Sequence, residues 1–280
     1  ESLGLGVIRA EDQANFERIV TERSTFSNVM VFRERLGQLE SWVCAIEMPG
    51  TAGSGVLVGP DLVLTNYHVI EKILNGEVSP ANVCCRFDYK ATADGSTVME
   101  GTAVPLAVEW DLVHAPYSHA DTVSGGDGWG ADELDFAVIR LARKVGEQAI
   151  GDKAERDAPK RGWLHLRKTP PALARDDVVF VLQHPRDISQ PGAVLKPMQL
   201  AAGLVMAFAG NGLRVRHNTR TLPGSSGSPV LNANLEAAAL HHAGEPNNRI
   251  DYKGEYNQAI PLGEIARFLD ARGHAALLAE

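Results

Sequence analysis

A chain of 280 residues with 44% hydrophobic and 22% charged residues can bury one large core or two smaller ones. Its formal charge of -8 argues against nucleic acid or an anionic membrane as a main partner, because both demand clustered Lys and Arg. No apolar run approaches the ~20 residues that cross a bilayer.

There are three cysteines, Cys44 and the adjacent Cys84 and Cys85. Neighbouring cysteines rarely bridge each other, and an odd count makes a poor disulfide framework. Buried reduced thiols are expected, which points to a reducing, cytoplasmic setting. The first residue, Glu1, is not a methionine, so a targeting segment or a further domain could precede it.

Residues 1–41 read as a helical arm. Phe16, Ile19 and Val20 fall at i, i+3, i+4, and Val29, Phe32, Leu36, Leu39 and Val43 step by threes and fours. Such a stripe lays one face on a core, or offers a docking surface to a regulatory domain or partner. From 42 the pattern turns to short strand-like runs at 42–47, 55–58, 62–65, 83–87, 102–108 and 136–141. A polar stretch, 146–175, contains Thr169-Pro170-Pro171 and reads as a linker. A second series follows at 178–182, 197–204, 213–216, 229–231, 237–240 and 258–260. Residues 263–280 close the chain as a helix, with Ile265, Phe268, Leu269 and Arg272 on helical spacing. The expectation is an all-β fold of two packed six-stranded antiparallel barrels, 42–145 and 176–262, with an arm before them and a helix after. No internal repeat is visible in the sequence.

Three motifs carry chemistry. The first, Leu222-Pro-Gly-Ser-Ser-Gly-Ser-Pro-Val230, sets Ser225 and Ser226 between Gly224 and Gly227, directly before an apolar strand. A nucleophilic serine needs such a turn, which exposes its hydroxyl and lets the Gly224 and Ser226 amides converge on an oxyanion. In the second, two strands meet at Gly59-Pro60-Asp61 and the latter is expected to end at His68, a site for a general base. In the third, Asp135 stands just before a strongly apolar run, placed to accept from the histidine's other ring nitrogen. Asp132 and Glu133 compete with it but lie outside that run. An α/β-hydrolase G-x-S-x-G elbow fails, because Gly227 follows Ser226 by one residue instead of two.

On Thr65-Asn-Tyr-His68, Leu134-Asp135-Phe-Ala and Gly224-Ser-Ser226-Gly-Ser-Pro-Val, in that order, the chain resembles the trypsin-like serine peptidase family of chymotrypsin fold, over about 42–278. Its details are similar to bacterial glutamyl endopeptidases and related intracellular proteases. The resemblance implies a cleft between barrels holding His68, Asp135 and Ser226 as the triad. It also implies an oxyanion hole of the Gly224 and Ser226 amides, and a protein or peptide substrate. Val69 stands where vertebrate members carry a bridging cysteine, and Ser225 where zymogens carry the aspartate that receives a new N-terminus. Activation by that ion pair is therefore not expected.

By the same alignment Arg220 and Thr221 form the floor of the primary specificity pocket, with one wall at His241–Gly244. A threonine hydroxyl, an imidazole and a nearby guanidinium would suit a substrate carboxylate, so Glu or Asp is expected before the cleaved bond. Gly244 is expected where the substrate backbone adds as a strand, and His184, at the end of a strand, as a turn residue. No zinc-ligand spacing occurs, so neither cofactor nor metal is expected. Two rivals differ from an active enzyme of this kind. One is a protease-fold binding or regulatory module, latent until a partner arranges the site. The other is a general stress protease, whose usual trailing module has no room after the final helix.

Overall fold

The computed structural model describes residues 28–96, 98–150, 158–187, 194–246 and 254–279. The helical periodicity expected around Phe16–Val20 lies outside these residues. Helix α1, Val29–Trp42, starts at Asn28, whose side chain accepts the free N–H groups of Met30 and Val31. Its stripe begins at Phe32, not at Val29, which is 80% exposed. Phe32, Leu36 and Leu39 pack on the main core, so in the described part the arm lies against the barrels.

The twelve barrel strands are numbered here in chain order. The first barrel comprises β1 Val43–Met48, β2 Thr51–Leu57, β3 Leu62–Thr65, β4 Cys84–Phe87, β5 Thr102–Ala115 and β6 Phe136–Leu141. The second comprises β7 Val178–Gln183, β8 Gln199–Ala209, β9 Arg214–His217, β10 Pro229–Leu231, β11 Ala237–Gly244 and β12 Asn257–Pro261. Both close in one order, β1-β2-β3-β6-β5-β4 and β7-β8-β9-β12-β11-β10, so the architecture repeats although the sequence does not. Closure removes the unpaired edges that open sheets expose. Helix α2, Tyr67–Leu74, follows β3, and helix α3, Leu262–Ala271, follows β12. Among the described residues no helix is long and apolar enough to cross a membrane.

The strands are legible because β-branched and aromatic side chains suit a pleated, buried surface. Ile46, Leu57, Val63, Phe87 and Ile139 fill the first barrel. The second has a smaller filling of valines and alanines, among them Val179, Val205, Val215, Ala239 and Ala259. The largest cluster lies between the barrels and under α3, where Leu64, Phe136, Leu182, Leu240, Ile260 and Leu269 meet. At about 1.5–3 kcal/mol for each fully buried large side chain, this seam holds the halves together. Cys44 and Cys85 are buried and Cys84 is half-buried, all three as free thiols.

One expectation needs correction. The strand before His68 ends at Thr65, and His68 is the second residue of α2. Val69, Ile70 and Ile73 turn this short helix onto the core. Among the described residues of 146–175, several contacts reach the first barrel, α1 and the chain's end. Arg161 forms a buried ion pair with Asp88 at 2.6 Å and donates to the Ser41 carbonyl, while Trp42 donates to the Arg161 carbonyl. Leu166–Arg167 pairs in parallel with Leu278–Ala279.

Candidate active site

The turn from β3 into α2 presents His68 to the start of β6. Its backbone N–H donates to Asp135 Oδ1 at 3.0 Å, and its ring Nδ1 lies 2.7 Å from Asp135 Oδ2. Asp135 is 1% exposed and sits at φ +44°, a left-handed conformation that Asp tolerates better than most residues. Its N–H donates to the Pro116 carbonyl, and its own carbonyl accepts from Asn66 Nδ2 at 2.7 Å. Burial alone would raise the Asp135 pKa, but His68 and His242 outweigh it and hold it well below the ordinary carboxylate range. Burial likewise opposes charge on His68, yet Asp135, with Glu71 and Asp121 behind it, raises the imidazole above its usual value.

Ser226 lies on the turn leading into β10. Gly224 at φ +94° and Gly227 at φ +89° supply the left-handed backbone that this turn requires. A Cβ on Gly227 would come within 2.0 Å of the Ser54 carbonyl oxygen, so the close approach to the first barrel needs glycine. Ser54 ties the turn down from the other side. Its N–H donates to the Ser226 carbonyl at 2.7 Å, and its hydroxyl donates to the Gly224 carbonyl at 2.8 Å. Ser225 is fully buried, and its hydroxyl accepts the Leu222 N–H at 3.2 Å, closing the turn locally. Among the described residues, neither the Gly224 nor the Ser226 N–H is engaged by another group. The Ser226 hydroxyl itself donates to the His242 carbonyl at 3.2 Å.

That contact brings in residues whose part the sequence did not reveal. His242 Nδ1 lies 3.0 Å from Asp135 Oδ2, the same oxygen that meets His68. Beyond His242 stands Asp121, gripped by Arg214 through Nη2 at 2.6 Å and Nε at 2.9 Å, and by Trp129 Nε1 at 2.7 Å. Arg214 is completely buried. Burial works against the Asp121 charge, but Arg214 and His242 lower its pKa on balance. Of the carboxylates that competed with Asp135, Asp132 pairs with Arg272 at the surface and Glu133 accepts from the Gly130 N–H. Neither reaches His68.

The four residues expected to shape substrate specificity are not gathered in one place. Arg220 and Thr221 line a cavity of about 260 Å³ together with Gln183, Lys196 and Gln199. His241 is outside that cavity. Strand alternation points it, like Ala239, into the second barrel, where its ring meets His217 at 5.5 Å. Burial lowers both imidazoles, His217 to about 4, so the pair stays neutral at ordinary pH. Gly244 ends β11, exposed and opposite Asn257. His184, just after β7, is buried, stacked on Tyr89, and donates its backbone N–H to the Ser54 hydroxyl. No group of three or more His, Cys, Asp or Glu among the described residues could hold a metal ion.

Comparison with known proteins bears on the family and the fold. The chain is 26% identical over 221 residues to the uncharacterized protein y4fB of Sinorhizobium fredii, a match covering 74% of this chain and 28% of that protein. It is 25% identical over 220 residues to exfoliative toxin A of Staphylococcus aureus, covering 78% of this chain and 64% of the toxin. The chain thus spans less than two thirds of either relative. Among solved structures, an inactive serine-to-alanine form of Rv3671c from M. tuberculosis H37Rv superposes with a TM-score of 0.50 at 15% identity, covering 89% of this chain and 95% of that one. This likeness supports the two-barrel fold. The family model for the trypsin-like peptidase domain matches residues 53–240, which contain His68, Asp135 and Ser226, and the chain therefore belongs to the trypsin-like peptidase family, with its chymotrypsin fold.

Proposed function

We propose that this chain is a serine endopeptidase working through an acyl-enzyme, with Ser226 as nucleophile, His68 as general base and Asp135 as its orienting carboxylate. The observation that carries the reading is the buried Asp135 carboxylate holding the His68 ring at 2.7 Å, beside a serine turn with two unengaged amides. An ionised carboxylate only accepts, so Nδ1 of His68 must carry the proton and Nε2 is left bare to take one from Ser226. The Gly224 and Ser226 amides then stabilise the oxyanion. His68 returns the proton to the leaving amine, and water releases the acyl group by the same steps in reverse. No cofactor enters this chemistry.

The Ser226 hydroxyl bonded to the His242 carbonyl favours a second reading, a latent site that a partner or substrate must arrange. A fluorophosphonate probe separates the two. Labelling at Ser226 in the isolated chain, abolished in Ser226→Ala with the unfolding midpoint unchanged, supports the active enzyme. Absence of labelling supports latency, and labelling of any other residue refutes the nucleophile assignment.

For the residue before the cleaved bond we propose Glu, then Asp. Arg220, Lys196 and the Thr221 hydroxyl bordering one cavity favour a carboxylate there, without help from His241, which is buried in the second barrel. A peptide library cleaved mainly after Leu, Phe or Arg would overturn this preference.

A further inference from the structure

Five side chains form one continuous polar row across the seam between the barrels: His68, Asp135, His242, Asp121 and Arg214. The separations along it are 2.7 Å, 3.0 Å, 3.8 Å and 2.6 Å. Only His68 is appreciably exposed, with a third of its side chain reaching solvent. His242 occupies the middle of this row, and its ring is 1% exposed. A buried histidine with a purely structural part usually spends its N–H on a nearby carbonyl. His242 instead directs Nδ1 at the carboxylate on which the proposed mechanism depends. Its Nε2 has no hydrogen-bond partner and faces Asp121 Oδ1 across 3.8 Å.

We propose that His242 is a positioning residue for the Asp135–His68 pair, a second imidazole donor that fixes the carboxylate and shares its charge; this rests on the serine peptidase reading above. Asp135 Oδ2 offers two lone pairs, one taken by each Nδ1–H, while Oδ1 accepts the His68 backbone N–H. The carboxylate therefore has a fixed rotation about its side chain. Its negative charge is divided between two rings, so His68 feels less of it than it would as the sole imidazole partner. The groups facing His242 are Asp135 before β6, His68 on α2, Asp121 on the turn after Ser118, Arg214 and His217 on β9, and His241 beside it on β11. The bidentate Arg214 grip keeps Asp121 in place, so the distal end of the row is anchored.

The test uses the full chain with 15N-labelled histidine, together with His242→Leu and His242→Asn. Asparagine can present an N–H where the ring presented Nδ1–H, whereas leucine cannot. Loss of the donor concentrates the Asp135 charge on His68, so in His242→Leu the His68 pKa should rise by roughly half a unit to one unit. The pH-independent rate of fluorophosphonate labelling should fall about tenfold. His242→Asn should restore both to near the parent values, which mere filling of the site would not achieve. A His68 pKa unchanged or lowered in His242→Leu, or His242→Asn as altered as His242→Leu, overturns the proposal. Should His242→Leu not fold, the parent chain still decides the question. Its His242 must carry the proton on Nδ1, and a bare Nδ1 refutes the donor role. The histidine titration needs no turnover, so failure of the chain to label at all would count against the peptidase reading and leave this inference separately judged.

Discussion

Substituting Gly227→Ala tests whether the serine turn is held by the contact between the barrels. Two costs add. Forcing a residue with a Cβ into φ +89° costs about 1–2 kcal/mol. The new Cβ would also stand 2.0 Å from the Ser54 carbonyl oxygen and 2.5 Å from Thr65 Oγ1, far inside ordinary contact. To make room Ser54 must withdraw, which strains two buried hydrogen bonds, Ser54 N–H to the Ser226 carbonyl and the Thr65 hydroxyl to the Ser54 carbonyl. Losing one of them costs about 1–3 kcal/mol. The sum is about 2–5 kcal/mol, a large part of the roughly 5–15 kcal/mol that stabilises a typical domain. Gly76→Ala is the matched control, since Gly76 has φ +75° and nothing within 4 Å of its Cβ position. It should cost only the backbone strain. With a urea slope of about 3 kcal/mol/M, the midpoint should fall by roughly 0.7–1.7 M for Gly227→Ala and by less than about 0.7 M for Gly76→Ala. Equal shifts for the two would refute the claim that the seam holds the turn in place.

Further outcomes follow from the charges. The raised His68 pKa places the acid limb of Ser226 labelling above the ordinary histidine value of 6.5, because the base must be neutral to work. Asp135→Asn should lower the plateau by about three to four orders of magnitude and move that limb down, read from labelling rate against pH. The low Asp135 pKa also means that its contribution to stability is complete above the ordinary carboxylate value of 3.8 and is lost as pH falls below it, measurable by denaturant titration across that range. Arg214→Met strands Asp121 in the seam and should destabilise by about 3–5 kcal/mol, whereas adding Asp121→Leu should recover much of that loss. A double-mutant cycle showing simple additivity would count against the pair as a unit.

Much of this molecule is legible in its sequence because the decisive signals are local. The strands at 62–65, 136–141 and 229–231 have the predicted limits, since each is mostly apolar and bounded by turn or polar residues. The serine turn announces itself by Gly224 and Gly227, and Asp135 by the apolar run that buries it. Local signals fail where a strand is irregular. β5 runs to Ala115 instead of stopping at Val108, because register shifts after Leu106 carry exposed Val108 and Glu109 outward and break the alternation. Helix α2 is too short for its periodicity to stand out beside the strand before it. The hydrogen bond between Arg214 and Asp121 joins residues 93 apart, and neither has a neighbour that marks it. His241 and His242 differ only in which face of β11 they occupy, and the bulge between His241 and Ala243 obscures that in sequence.

The groups of the site come from both barrels, and the seam binds them in both directions. Ser54 of β2 reaches the serine turn, while His242 of β11 reaches the carboxylate that orients His68. Arg214 of β9 crosses as well, to Asp121 and to the Glu133 carbonyl just before Asp135. A relative shift of the barrels would therefore disturb Ser226, His68 and Asp135 together. The serine turn, by contrast, carries its own closure, since the buried Ser225 hydroxyl accepts the Leu222 N–H without help from a distant charge. A turn formed in this way does not wait for an ammonium group to arrive at Ser225. On the proposed reading, control over the site would act on the cleft, the Ser226 rotamer or the seam, and the bond from Ser226 to the His242 carbonyl is a contact that attack by Ser226 would have to break.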